Sequence, residues 1–325
     1  MPKLGTSSGP ATVIFLGAGF SSPAGVPLAA ELFRDEPEVD RISRQQLVRS
    51  VRSGWLAWHE QTNGAPEEYL AELEAEGGQA WREAVWYASL AVAMPMGELR
   101  RIGVQRHLTV TKQNLDRRSA PLHEGFWTAV FTRTAAVTVV TTNYDILAER
   151  GMRHRPRPRV ARPGFNYGAG DEYLAGGGYP SYAHIQRILA CGYVPLLKLH
   201  GSVSWAEREG ELVHYHDCRP AIRGDALIVA PVRGKRPPAL LEPVWQKARA
   251  AITRANQVLV VGYSLPEYDD RVIELLRASP TDCRFHLLDP APALAGKYER
   301  LLGRPAVQHS GLPEGIEELS FLDPA

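Results

Sequence analysis

Two short segments constrain the fold more than anything else in the chain: GAGFSS at residues 17–22, directly after the apolar run TVIFL, and TTNYD at 141–145, directly after VTVV. Each is a run of apolar, largely β-branched residues that stops abruptly at small or polar ones. Continuous apolar runs suit strands covered on both faces, and such endings are how a parallel sheet presents binding groups at its carboxyl edge. Similar runs recur at Pro195 to Leu199, Leu227 to Ala230, Val258 to Val261 and Phe285 to Leu288. Helical patterns at Pro27 to Arg34, Glu242 to Arg254, Arg271 to Ala278 and Ala293 to Leu302 alternate with them. The alternation predicts an α/β fold with a doubly wound parallel sheet, whose right-handed crossovers align the strand-end loops along one edge.

Between the first two predicted strands, residues 41–134 change character: WLAWHEQ, EEYLAELEAE and AWREAVWYASLAVAM read as helices. A structureless crossover of that length is unusual, so the segment is expected to form a helical subdomain inserted into one domain spanning 11–325. Trp55, Trp58, Trp81, Trp86 and Tyr87 fall at helical spacing and are expected to form its core rather than a ligand cage.

Charge excludes some roles. Lys and Arg number 37 against 36 Asp and Glu, a net +1, so no global field draws the chain to nucleic acid or an anionic membrane. The arginines at 153, 155, 157, 159 and 162, spaced by prolines, form a local basic stretch. It reads as a solvated loop or as a semi-extended basic arm that touches nucleic acid, a partner protein or the NAD phosphates; without interleaved aromatics it lacks the pattern of a strong single-strand binder, and direct nucleic-acid binding is not expected. Cys191, Cys218 and Cys283 are odd in number and far apart, which fits a reducing compartment and a cytoplasmic protein. No segment has the roughly 20 apolar residues needed to span a bilayer, and no signal-peptide pattern opens the chain.

The motifs carry the chemistry. In GAGFSS, Gly17 and Gly19 permit a tight turn and close backbone approach to a phosphate, and Ser21 adds a hydroxyl. Ser22 stands where a full dinucleotide fingerprint has its third glycine, so the motif alone reads equally well as a structural turn. In TTNYD, the Asn143 amide can hold a ribose hydroxyl or a water, donating and accepting at once. Asp145 is equally well placed to cap the helix ILAERGM. A third strand runs into LHGS, which puts His200 at the same edge. A fourth ends in GYSLPEYD, with Gly262, Tyr263 and Ser264 in a small polar turn, and a fifth ends at Asp289, where a carboxylate can grip a ribose. Five strand-end motifs on one edge of a Rossmann-like sheet point to a dinucleotide.

As an ordered set, GAGFS, TTNYD, LHGS and GYSLPEYD resemble the sirtuin-like family, and within it the zinc-free branch of bacterial NAD-consuming, anti-phage defence proteins. The resemblance covers about residues 11–35 and 137–302 and leaves the helical insertion unassigned. It implies that Gly17, Ala18, Gly19, Phe20 and Ser21 hold the NAD diphosphate. The resemblance implies that Asn143 and His200 line the nicotinamide-ribose pocket and act as the catalytic pair; Thr142 and Asp145, in the same motif, are expected to bind the cofactor. By the resemblance Gly262 and Ser264 are expected to contact the adenosine side, and Tyr263 in the same turn and Asp289 at the next strand end are expected to bind the cofactor with them. The Cys-x-x-Cys pairs that hold zinc in deacetylating sirtuins are missing. His214, His216 and Cys218 share one strand face with no obvious fourth partner, and SWAEREGELVHYH reads as a hairpin turning at Glu209-Gly210. No zinc is expected.

Nicotinamide leaves NAD as a neutral molecule from a cationic glycoside, so a site must chiefly stabilise the ribose and position the acceptor. With water as acceptor the activity is NAD glycohydrolysis, giving nicotinamide and ADP-ribose. A peptide or other acceptor would make the chain a protein deacylase or ADP-ribosyltransferase. Binding without turnover would make it a nucleotide-sensing module. Because uncontrolled NAD loss poisons a cell, the resemblance also implies control by homo-oligomerisation or by a separate regulatory protein, such as an ATPase or nucleic-acid sensor.

Overall fold

The computed structural model describes residues 11–34, 45–96, 120–134, 137–153, 164–169, 193–215, 217–232, 234–312 and 319–322. The strands in chain order are β1 (Thr12–Leu16), β2 (Val137–Thr141), β3 (Gly164–Asn166), β4 (Tyr193–Lys198), β5 (Gly201–Arg208), β6 (Glu211–His214), β7 (Ala226–Ile228), β8 (Gln257–Val261), β9 (Arg284–Leu288) and β10 (Ala306–His309). Seven of them form one sheet in the order β10-β9-β8-β1-β2-β4-β3, and every neighbouring pair is parallel. The first strand is central, with its successors laid outward on either side, which is the doubly wound Rossmann-like plan. β1 and β8 are buried at all five positions, as strands covered on both faces must be.

The helices are α1 (Ala18–Ser21), α2 (Gln45–Thr62), α3 (Pro66–Glu76), α4 (Gly78–Ala93), α5 (Ala120–Arg133), α6 (Leu147–Arg153), α7 (Arg219–Arg223), α8 (Glu242–Ile252), α9 (Asp270–Arg277) and α10 (Leu294–Leu302). Among the described residues, α2 to α5 fall within residues 41–134, and α2, α3 and α4 form from the three helical patterns read there. Trp55, Trp86 and Tyr87 are buried, and Trp58 and Trp81 pack partly buried against the same core. Phe33, at the end of the first loop, ties the insertion down. Its ring lies 5.2 Å from Trp55, 5.5 Å from Tyr69 and 5.5 Å from Tyr87, so one aromatic joins three helices.

Two local expectations need correction. The helix expected over Pro27 to Arg34 is a single 3-10 turn, Ala29–Glu31. Leu28 is extended, and the Glu31 carboxylate returns to accept its N–H at 3.0 Å, which closes the turn instead of extending it. The run Leu227 to Ala230 is not a strand of the parallel sheet. Its first part joins β7 in a separate three-stranded antiparallel sheet, β6-β5-β7, in which β5 and β6 form the expected hairpin, with Glu209 and Gly210 both at positive φ. The departure begins at Gly201, whose φ of +76° turns the chain out of β4 immediately after His200. β3 and β10, short or partly exposed edge strands, carry no apolar run long enough to be read from sequence. The basic residues of the stretch 154–163, with Cys191 and His216, lie outside the described residues.

Candidate nucleotide site at the carboxyl edge of the sheet

The carboxyl ends of β1, β2, β4 and β8 meet where the strand order reverses, the usual position of a ligand crevice in such sheets. The loops are stitched together by backbone bonds. Gly17 N–H donates to the Val261 carbonyl at 3.0 Å, Gly19 N–H to the Gly262 carbonyl at 2.8 Å, and Thr142 N–H to the Leu16 carbonyl at 3.1 Å. The glycines of the first motif are needed at this junction. A Cβ on Gly17 would lie 2.5 Å from the Gly262 oxygen, and one on Gly19 would lie 2.7 Å from Gly262 Cα. Gly262 itself has φ +62°, a conformation that favours glycine. Phe20, fully buried, packs its ring against His123, Phe126 and Trp127 of α5.

Asn143 is buried in the first loop's shadow. Its Nδ2 donates to the Gly17 carbonyl at 2.8 Å and to Ser21 Oγ at 3.1 Å, while its own N–H donates to Thr141 Oγ1. The amide nitrogen is thereby occupied, and Oδ1 accepts nothing from a described residue. Asp145 takes the capping role: Oδ1 accepts the Leu147 N–H at 2.9 Å at the start of α6. Beneath it, Lys198 of β4 is buried and donates to Glu149 Oε1 at 3.1 Å and to the Asp145 carbonyl, pinning α6 to the strand that leads into His200. Asp289 Oδ1 accepts the Ala291 N–H at 2.8 Å, and Ser264 is exposed beside Lys297, which donates to its carbonyl.

His200 is 3% exposed, with the Tyr144 and Trp245 rings on either side at 6.4 and 6.1 Å. Burial holds its pKa well below the ordinary histidine value, and the nearby Lys235 cation adds to this; a hydrogen bond with the Thr142 backbone acts in the opposite direction. His200 is therefore neutral. Nε2 has no hydrogen-bond partner among the described residues, and in a neutral ring whose Nδ1 carries the proton it is a lone-pair acceptor.

The structure adds residues that the sequence reading did not single out. Asp269, 3% exposed, places Oδ1 4.0 Å from His200 Nε2. With His200 neutral, this is a juxtaposition rather than an ion pair. The other oxygen, Oδ2, accepts from Lys235 Nζ at 3.0 Å and from the Tyr263 hydroxyl at 2.8 Å. Tyr268, the preceding residue, donates to Glu67 of α3 at 3.0 Å, so the helical insertion reaches the loop that carries Asp269. An Asp just before a predicted helix reads as a cap, which hid it. Asp269 does occupy the N-cap position of α9, yet makes no side-chain cap bond.

Unpartnered polar atoms buried at a sheet's carboxyl edge are costly unless a ligand completes them. His200 Nε2 and Asp269 Oδ1 are two such atoms among the described residues, and a hydroxyl donor completes an acceptor of either kind. Among the described residues, no group of three or more His, Cys, Asp or Glu is arranged to hold a metal ion, and no helix is long and apolar enough to cross a membrane.

The chain is similar to solved structures of Sir2 proteins. One is a Sir2 homolog–NAD complex, at 15% identity and a TM-score of 0.45, covering 95% of this chain and 87% of that one. Another is Sir2Tm bound to a propionylated peptide, at 14% identity and 0.42, covering 96% and 92%. A Sir2 homologue in complex with 2′-O-acetyl ADP ribose gives 15% and 0.44, covering 95% and 89%. No protein-family model matches the chain, and no curated protein does.

Proposed function

We propose that the chain is an NAD glycohydrolase, which cleaves the nicotinamide–ribose bond with water to give nicotinamide, ADP-ribose and a proton. The observation that supports this most directly is the pairing of Asn143 and a buried, neutral His200 on neighbouring strand ends above the Gly17 loop. Asn143 presents an acceptor held in place by Gly17 and Ser21. His200 offers Nε2 to take the proton released in the reaction, a role worth about 100- to 10,000-fold in rate. The glycines close the β1 loop onto Gly262, and the motif resemblance supports a diphosphate lying along that loop. The motif resemblance supports control by self-assembly or by a second polypeptide, in the manner of an NAD-depleting defence effector. The odd, widely spaced cysteines support a cytoplasmic setting, and the missing Cys-x-x-Cys pairs support a site that works without zinc.

The test is to incubate the purified protein with NAD and quantify nicotinamide and ADP-ribose, with and without an acylated peptide. Wild type is expected to release both products without peptide, His200→Ala to lose at least about 100-fold in kcat, and Asn143→Ala to lose activity with it. Because burial and Lys235 keep His200 unprotonated, the acid limb of kcat/KM should lie below the ordinary histidine pKa of about 6.5. Turnover that requires the peptide and yields an acylated sugar would replace hydrolysis with deacylation. NAD binding without product would replace it with sensing. Equal NAD consumption by wild type and both variants would remove Asn143 and His200 from the chemistry.

A further inference from the structure

The acceptor pair formed by His200 Nε2 and Asp269 Oδ1 is unusual in three respects. Both atoms are buried and have no hydrogen-bond partner among the described residues. At 4.0 Å they do not bond to each other. And Asp269 reaches this position by leaving a role open to it: an Asp at a helix N-cap ordinarily accepts a backbone N–H of the first turn, but here the side chain makes no cap bond to α9. Lys235 and Tyr263 instead hold Oδ2 from two different loops, at 3.0 and 2.8 Å, and so fix the direction in which Oδ1 points. Lys235 is itself 8% exposed. Burying a lysine, a tyrosine and an aspartate together only to leave one carboxylate oxygen without a donor is costly. The cost is met when a donor arrives.

We propose that Asp269 is a substrate-binding residue: its Oδ1 and His200 Nε2 form a two-acceptor clamp for the vicinal hydroxyl pair of a ribose. The assignment rests on the NAD reading above, under which that sugar is the nicotinamide ribose. Neighbouring hydroxyls on one ring, each donating over about 2.7 Å, fit two acceptors set 4.0 Å apart. Oδ1 of Asn143, on the loop after β2, is a third acceptor along the same edge, so the site calls for a ligand with more donors than one water carries. The clamp gives the site selectivity for an intact sugar diol, since a site built to bond a hydroxyl discriminates strongly against the analogue lacking it.

The experiment is calorimetric binding to the intact protein of three probes that are not turned over: ADP-ribose, and ADP-ribose lacking either the 2- or the 3-hydroxyl of its distal ribose. Wild type is expected to bind each deoxy form roughly 10- to 100-fold more weakly, the loss of one bond to a buried acceptor. In Asp269→Asn, the amide is expected to turn its oxygen toward Lys235 and Tyr263 and its NH2 toward His200, so that the acceptor at Oδ1 is replaced by a donor. ADP-ribose should then bind roughly 10- to 100-fold more weakly, and discrimination against one of the two deoxy forms should vanish. Wild type binding all three probes equally would overturn the clamp without any variant having to fold. Asp269→Asn weakening all three in equal proportion would overturn it too, by making Asp269 a structural residue. Failure of wild type to bind ADP-ribose or NAD at all would overturn the NAD reading, and the clamp with it.

Discussion

At the scale of single residues, the site depends on where side chains are absent as much as on where they are present. Gly262 and Gly25 both have positive φ, +62° and +82°, but a Cβ on Gly262 would collide with the backbone of Gly19 and Phe20, whereas one on Gly25 would meet nothing within 4 Å. Gly262→Ala should therefore cost about 2 to 5 kcal/mol, combining left-handed strain with overpacking, and Gly25→Ala only the strain of about 1 to 2 kcal/mol. Urea unfolding of the two variants measures the difference, and equal midpoints would show that the β1 and β8 loops do not depend on close approach. The placement of Asn143 and His200 at strand ends was legible because a polar residue that ends an apolar run stands out in one dimension. Asp269 and Lys235 were not, because their meaning lies in a distance across two loops. In sequence, Asp269 is one more acidic residue in front of a helix.

At the scale of elements, hydrophobic continuity reported strands well and partners poorly. β1, β2, β4, β8 and β9 fall where apolar runs predict them, since strands buried on both faces must be apolar throughout. β7 has the same composition but sits half-buried in the antiparallel sheet, and composition does not say which sheet a strand joins. Helices α2, α3 and α4 were legible as helical patterns, but the residue that joins them was not. Phe33 belongs to a stretch that reads as helix and folds as a turn, and its position at the meeting of α2, α3 and α4 follows from tertiary packing alone. Phe33→Ala should cost about 3 to 5 kcal/mol, as truncation of a buried phenylalanine does. If the insertion positions Glu67 against Tyr268, and through it the Asp269 loop, the same variant should also weaken ADP-ribose binding. Thermal melts read the first effect and calorimetry the second; a variant as stable as wild type would show that the three helices are held by their other contacts.

At the scale of the whole molecule, neutral buried histidines make acid the expected route to unfolding. His214, 5% exposed, packs between Tyr167 and Trp205 at the end of β6, and its pKa is pushed down to about 4, first by burial and then by the buried Lys198 cation. His286 is held down to about 4 by burial and by the neighbouring His309, with Phe321 stacked on both rings, so it acts in the same direction. The sign follows from proton counting. Below about pH 6.5 the unfolded chain binds a proton at each such histidine while the native protein does not, so stability is complete above pH 6.5 and is lost progressively as pH falls toward 4. For His214 alone the loss is about 3 kcal/mol over that window. Chemical denaturation at pH 7, 6, 5 and 4 should show the midpoint falling with pH, and His214→Leu should remove part of the slope by removing the group that titrates. A flat profile in wild type would mean that His214 is protonated in the native state, and that the aromatic packing around it yields to a charge. None of this was readable from the HYH segment, where alternation placed the residue on one strand face. That face is apolar because Tyr167, 47 residues earlier in the chain, returns to cover it.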